Sequence, residues 1–170
     1  MWSSAFLHAD YSHLFFNLFT LWVFSGAILM QLGEFYYLII YLLSLYFGNF
    51  FTLKQHKNEV FYSAVGASGA VTGIVYSSIL LFPEMKLALI FFPIPLPSYV
   101  FGLCYILYSI YGMKKNTGNI GHSAHLGGAI AGMIITILIQ PSILANQTWL
   151  VFLLLTPFII LYYDKKNSLF

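Results

Sequence analysis

Charge is what this chain has least of. Asp, Glu, Lys and Arg make up 7% of its 170 residues, where a soluble domain carries about a quarter. Arginine is absent, and every cation is a lysine. A water-facing surface cannot be covered from this stock, so a soluble globular domain is excluded and an integral, multi-pass membrane protein is expected. The net charge of +2 is too small to draw a nucleic-acid partner. A single cysteine, Cys104, rules out an intrachain disulfide. The opening MWSSAFLHADYSH has no basic stretch ahead of an apolar core, so no cleavable signal peptide is expected.

Apolar residues fill the space, at 60% of the total. They fall into runs near the roughly 20 residues a membrane helix needs, divided by charges and Pro/Gly clusters. Six segments result: 11–32 ending at QLGE, 35–53 ending at KQHKNE, 66–82 ending at PEMK, 98–113 ending at KKNTGN, 121–140 ending at QPS, and 148–163 ending at DKK. The stretch FFPIPLP is expected to be flat or irregular, because proline removes a backbone donor. The segments are apolar all round, as lipid-facing helices are, and only helices or closed barrels satisfy their backbone in lipid. Strand alternation is absent. The expected fold class is therefore all-α, a polytopic membrane helix bundle of about six spans. With no repeat and no long linker, 1–170 reads as a single domain. Trp2, Trp149, Tyr162 and Tyr163 suit the membrane interface as anchors.

In such a chain the informative residues are polar ones placed in apolar helices, where they cost free energy and mark function. Three groups stand out. In HLFFN, His13 and Asn17 lie one helical turn apart on one face and can donate hydrogen bonds into one pocket; bonding each other or a neighbouring helix explains the pair equally well. In GASGAVTG, Ser68 sits at a helix N-terminus, where free N–H groups and the helix dipole favour developing negative charge. Gly66, Gly69 and Gly73 leave room for a second helix, and packing alone also accounts for these small residues. In GHSAHLGGAIAG, Gly128 and Gly132 form a second small-residue face behind His125. If the two glycine faces meet, His125 comes within reach of Ser68; bonding water in a polar loop is the plain alternative.

Taken together, the groups make a kit for serine hydrolysis. A histidine beside a serine takes its proton and makes it a nucleophile, and a nearby His–Asn pair can donate to an oxyanion. Helices that alternate in direction bring the starts of the first, third and fifth segments to one membrane face.

Here the sequence resembles the rhomboid intramembrane serine proteases, bacterial type. HADYSHLFFN, GASGAVTG and GHSAHLGGAIAG match the family's H-x-x-x-N, G-x-S-G and A-H-x-x-G in order and spacing, and FFPIPLP is like some bacterial members. The resemblance implies Ser68 as nucleophile, His125 as general base, and His13, Asn17 and the Ser68 N–H as the oxyanion hole. It implies a serine endopeptidase that cleaves transmembrane segments of other membrane proteins and needs no metal or nucleotide. It also implies a bacterial cytoplasmic membrane, with the site toward the outer face.

The sequence departs from the family pattern in three ways. The usual helix before H-x-x-x-N, and most of the loop after it, are expected to be missing, because the sequence starts almost at His13. The position four after the serine, often aromatic and stacked on the catalytic histidine, is Thr72. Segment 148–163 resembles the extra C-terminal helix of some members. Orientation carries a conflict, because all the lysines except Lys86 fall on the Ser68 side and the positive-inside rule would make that side cytoplasmic.

Three other functions compete. A catalytically impaired relative that binds transmembrane helices is the alternative, though impaired relatives lack the serine or the histidine. A channel would need charges in mid-helix, and there are none. A zinc site from His8, His13, His122 and His125 would lack an H-E-x-x-H, and no acidic residue lies near the late histidines. The loop after Lys114 and the KQHKNE loop are the candidate lids. Oligomeric state is not legible.

Overall fold

The computed structural model describes residues 2–59, 62, 65–89, 92–115 and 121–167, with the backbone alone at 89, 92, 93 and 165–167. A short 3-10 turn at Ser3–Phe6 leads into α1 (Tyr11–Gln55), followed by α2 (Ser68–Leu81), β1 (Lys86–Leu89), β2 (Phe92–Pro97), α3 (Ser98–Lys115), α4 (His122–Ile139), α5 (Ser142–Asn146) and α6 (Thr148–Asn167). All six expected apolar segments are helical. α1 and α4 are long and apolar enough to cross a membrane, and α2 and Thr148–Asp164 are shorter apolar helices. The fold is a helical membrane bundle.

The first two expected segments are the two arms of α1. Gly33 separates them with φ 82° and ψ 173°, a backbone state that glycine alone adopts readily. The arms fold back on each other. Ser25 Oγ lies 2.9 Å from Tyr37 Oη, whereas 12 residues of straight helix would set them about 18 Å apart. Asn49 Nδ2 donates to Ser4 Oγ at 2.8 Å, tying the far end of the second arm to the turn before the first.

α2 is the central rod, buried from Gly69 to Leu80. Ile74, Tyr76, Ile79 and Leu80 join Phe24 and Ile28 of α1, Ile106 of α3, Leu126 and Met133 of α4, and Leu154 of α6 in one core. Serine and threonine hydroxyls stitch the rods together. Thr136 Oγ1 donates to Ser77 Oγ at 2.7 Å between α4 and α2, and Ser78 Oγ donates to the Phe24 carbonyl at 2.9 Å. Outward faces carry apolar side chains such as Trp22, Met30 and Leu138, and Trp2, Trp149, Tyr162 and Tyr163 are exposed.

The proline stretch is extended and not helical over Phe92–Pro97, as expected; it pairs antiparallel with Lys86–Leu89 through Lys86↔Pro97, Leu87↔Leu96 and Leu89↔Phe92, with a register shift between Leu87 and Leu89. Ser98 N–H donates to the Met85 carbonyl at 2.7 Å, closing the pair at its α3 end. Proline is tolerated in an edge strand or at a bulge, and among the described residues β2 has no strand neighbour but β1.

Candidate active site

Glycine sets the site's framework. A Cβ on Gly128 would overlap the Gly69 carbonyl, and one on Gly132 would overlap the Gly73 carbonyl, so α2 and α4 touch backbone to backbone. Gly48 of α1 joins this junction, since a Cβ there would come 2.8 Å from the Ala124 carbonyl. Ser68 precedes Gly69, and His125 lies one turn before Gly128 on the same face. The contact therefore sets both functional side chains at one end of the α2–α4 pair.

They line one cavity of about 490 Å³, together with Asp10, Ser12, His13, Phe16 and Asn17 from the start of α1, Thr72 of α2, Tyr105 of α3 and Gly121 before α4. His13, Asn17, Ser68 and His125, expected to converge, thus share a single space. Ser68 and His125 face it without a direct hydrogen bond between them, a looseness common before substrate binds.

Each side chain is held by local structure. α1 opens on Asp10, whose carboxylate accepts from the His13 N–H at 2.7 Å and the Ser12 hydroxyl at 2.6 Å, an N-cap arrangement. The Ser12 hydroxyl and then the His13 amide hold the Asp10 carboxyl below its ordinary pKa. The His13 imidazole lies over Gly66: φ there is +112°, and a Cβ would come 2.6 Å from His13 Cε1. Gly66, expected among the packing glycines, precedes α2 and seats this ring instead. Its N–H donates to the Ser4 carbonyl at 2.9 Å. Asn17 is 6% exposed, and its Nδ2 is buried with no hydrogen-bond partner. A buried amide left unpaired costs about 1–3 kcal/mol.

α2 opens at Ala67 without a side-chain cap, which leaves its first N–H groups available beside Ser68. Its 14 residues span roughly 21 Å, short of the roughly 30 Å hydrocarbon core. Beyond its C-terminus the chain turns at the exposed Glu84. The Thr72 hydroxyl donates to the Ser68 carbonyl at 2.7 Å and makes no ring contact with the histidine. That contact comes from Tyr105, which the sequence reading missed. Its ring stacks on His125 with centroids 5.6 Å apart, and its Oη lies 2.9 Å from His125 Nδ1. Nothing local in α3 announces this; only the crossing of α3 and α4 creates it.

Of the candidate lids, residues 116–120 after Lys115 lie outside the described residues. KQHKNE closes on itself, His56 Nδ1 lying 2.9 Å from Glu59 Oε1, and none of its residues lines the cavity.

The family model for the rhomboid domain matches residues 1–142 of the chain. The chain belongs to the rhomboid family. Among similar proteins, Rhomboid protein 1, mitochondrial, of Saccharomyces cerevisiae is 31% identical over 134 residues, 77% of this chain and 39% of that protein. RHOMBOID-like protein 12, mitochondrial, of Arabidopsis thaliana is 33% identical over 78% of this chain and 44% of its own length. Presenilin-associated rhomboid-like protein, mitochondrial, of Homo sapiens is 32% identical over 76% of this chain and 35% of its own. The rhomboid chain thus spans less than half the length of these relatives. No solved structure matches it. The expected bacterial cytoplasmic membrane gains no support from these relatives, all of which are named as mitochondrial; a membrane location stands.

Proposed function

We propose that this rhomboid is an intramembrane serine endopeptidase acting on transmembrane segments through Ser68 and His125. The observation that carries the reading is the shared cavity, with the unpaired Asn17 Nδ2 beside the uncapped start of α2. Ser68 Oγ attacks the scissile carbonyl carbon and passes its proton to His125. The carbonyl oxygen becomes an oxyanion, held by Asn17, His13 and the Ser68 N–H. Collapse of the tetrahedral species breaks the C–N bond, and His125 returns the proton to the departing amine. Water then attacks the acyl carbon as His125 takes its proton; the C–O bond to Ser68 breaks, and His125 returns the proton to Ser68 Oγ. Exposed Phe16 of α1 and half-buried Phe101 of α3 flank the cavity, an apolar margin suited to a peptide arriving from lipid.

Cleavage of a test transmembrane substrate in lipid vesicles decides it. Ser68→Ala and His125→Ala should each abolish turnover while leaving expression intact; a Ser68→Ala variant that cuts as well as the parent overturns the assignment. The second reading is a non-hydrolysing relative that binds transmembrane helices, favoured by the missing Ser68–His125 hydrogen bond. It predicts substrate capture without cleavage in the same assay.

A further inference from the structure

His125 is fixed from two directions by one side chain. Stacking with the Tyr105 ring holds its face, and the Tyr105 hydroxyl holds Nδ1. Tyr105 is itself braced, stacked on Phe101 at 6.1 Å and 16° along α3.

We propose that Tyr105 is a positioning residue for His125: its Oη accepts the Nδ1–H of the neutral imidazole and leaves the Nε2 lone pair turned toward Ser68. The proposal rests on the hydrolase reading above. A neutral imidazole has one N–H and one lone pair, and the partner of one nitrogen selects the tautomer. A tyrosine hydroxyl can donate or accept. With Oη accepting, Nε2 is the basic nitrogen and takes the Ser68 proton; the imidazolium keeps its Nδ1–H···Oη bond and later gives the Nε2 proton to the leaving amine. Tyr105 gains and loses no proton. With the roles reversed, Nε2 would already carry hydrogen and could not act as base. No carboxylate competes for the task among the described residues. The cavity's one acidic side chain, Asp10, is engaged by Ser12 and the His13 amide.

The decisive variant is Tyr105→Phe, which keeps the ring and removes the acceptor. In the full chain reconstituted with a transmembrane substrate, kcat should fall about 10- to 100-fold, part of the value of a general base, with KM little changed. Unchanged kcat overturns the proposal. Nitrogen-15 NMR of labelled histidine tests the bond independently of turnover. The expected result is Nδ1–H in the parent, with that preference lost in Tyr105→Phe. Nε2–H in the parent, or one tautomer in both proteins, overturns it. Failure of the hydrolase reading has a different signature, a parent that does not cut at all.

Discussion

The side-chain amide of Asn17 is buried with its Nδ2 unpaired, and the carboxylate of Asp10 is exposed and doubly bonded. The two residues open the same helix and make different predictions. Asn17→Ala removes a donor aimed at charge that develops only during reaction, so turnover should drop about 10- to 1000-fold in a cleavage assay, the scale of one oxyanion donor. It should cost little stability, because Nδ2 donates to nothing at rest. A change smaller than this would mark Asn17 as packing. Asp10 acts on the fold. Its carboxyl pKa is lowered by the Ser12 hydroxyl and His13 amide, so its stabilising effect is complete above the ordinary aspartate value near about 4 and fades as pH falls through the lowered one. The protection of the His13 amide, its exchange rate relative to an unstructured amide at the same pH, should be high at neutral pH, lower in strong acid, and low at all pH values in Asp10→Ala. Tyr105 shows where residue-level reading stops. It is one of 13 tyrosines with no local feature to single it out, and its meaning comes from a partner 20 positions away on another helix.

Helices were the most legible elements, because their limits coincide with the places where charge, proline or glycine interrupts apolar runs. Gly33 in QLGE broke the longest helix where the sequence indicated, and the facing glycines of α2 and α4 met as their spacing suggested. The strand pair Lys86–Leu89 and Phe92–Pro97 was not legible, because three prolines argue against a strand and the pairing is irregular. Gly66 was misjudged because a glycine before a helix looks like a packing residue until the ring it seats is visible. The glycine contact is testable. Gly128→Ala pushes a methyl into the Gly69 backbone, so it should cost about 1–3 kcal/mol and lower the thermal midpoint in detergent. Gly26→Ala has open space around it and should be nearly neutral. Equal midpoints for the two variants would contradict the packing account.

At the scale of the whole molecule, an apolar exterior surrounds a cavity at one end that gathers polar side chains among apolar ones, reached by the starts of three helix segments and the side of a fourth. Ser68 opens the buried central helix α2, and glycine lets α4 approach closely enough to bring the histidine to the same space. The account stands or falls on whether that serine is a nucleophile activated by that imidazole. Labelling with a fluorophosphonate probe asks this most directly. The account predicts covalent modification at Ser68 in the parent, none in Ser68→Ala, and strongly reduced labelling in His125→Ala. A parent that stays unlabelled, or labelling that persists in Ser68→Ala, would contradict it.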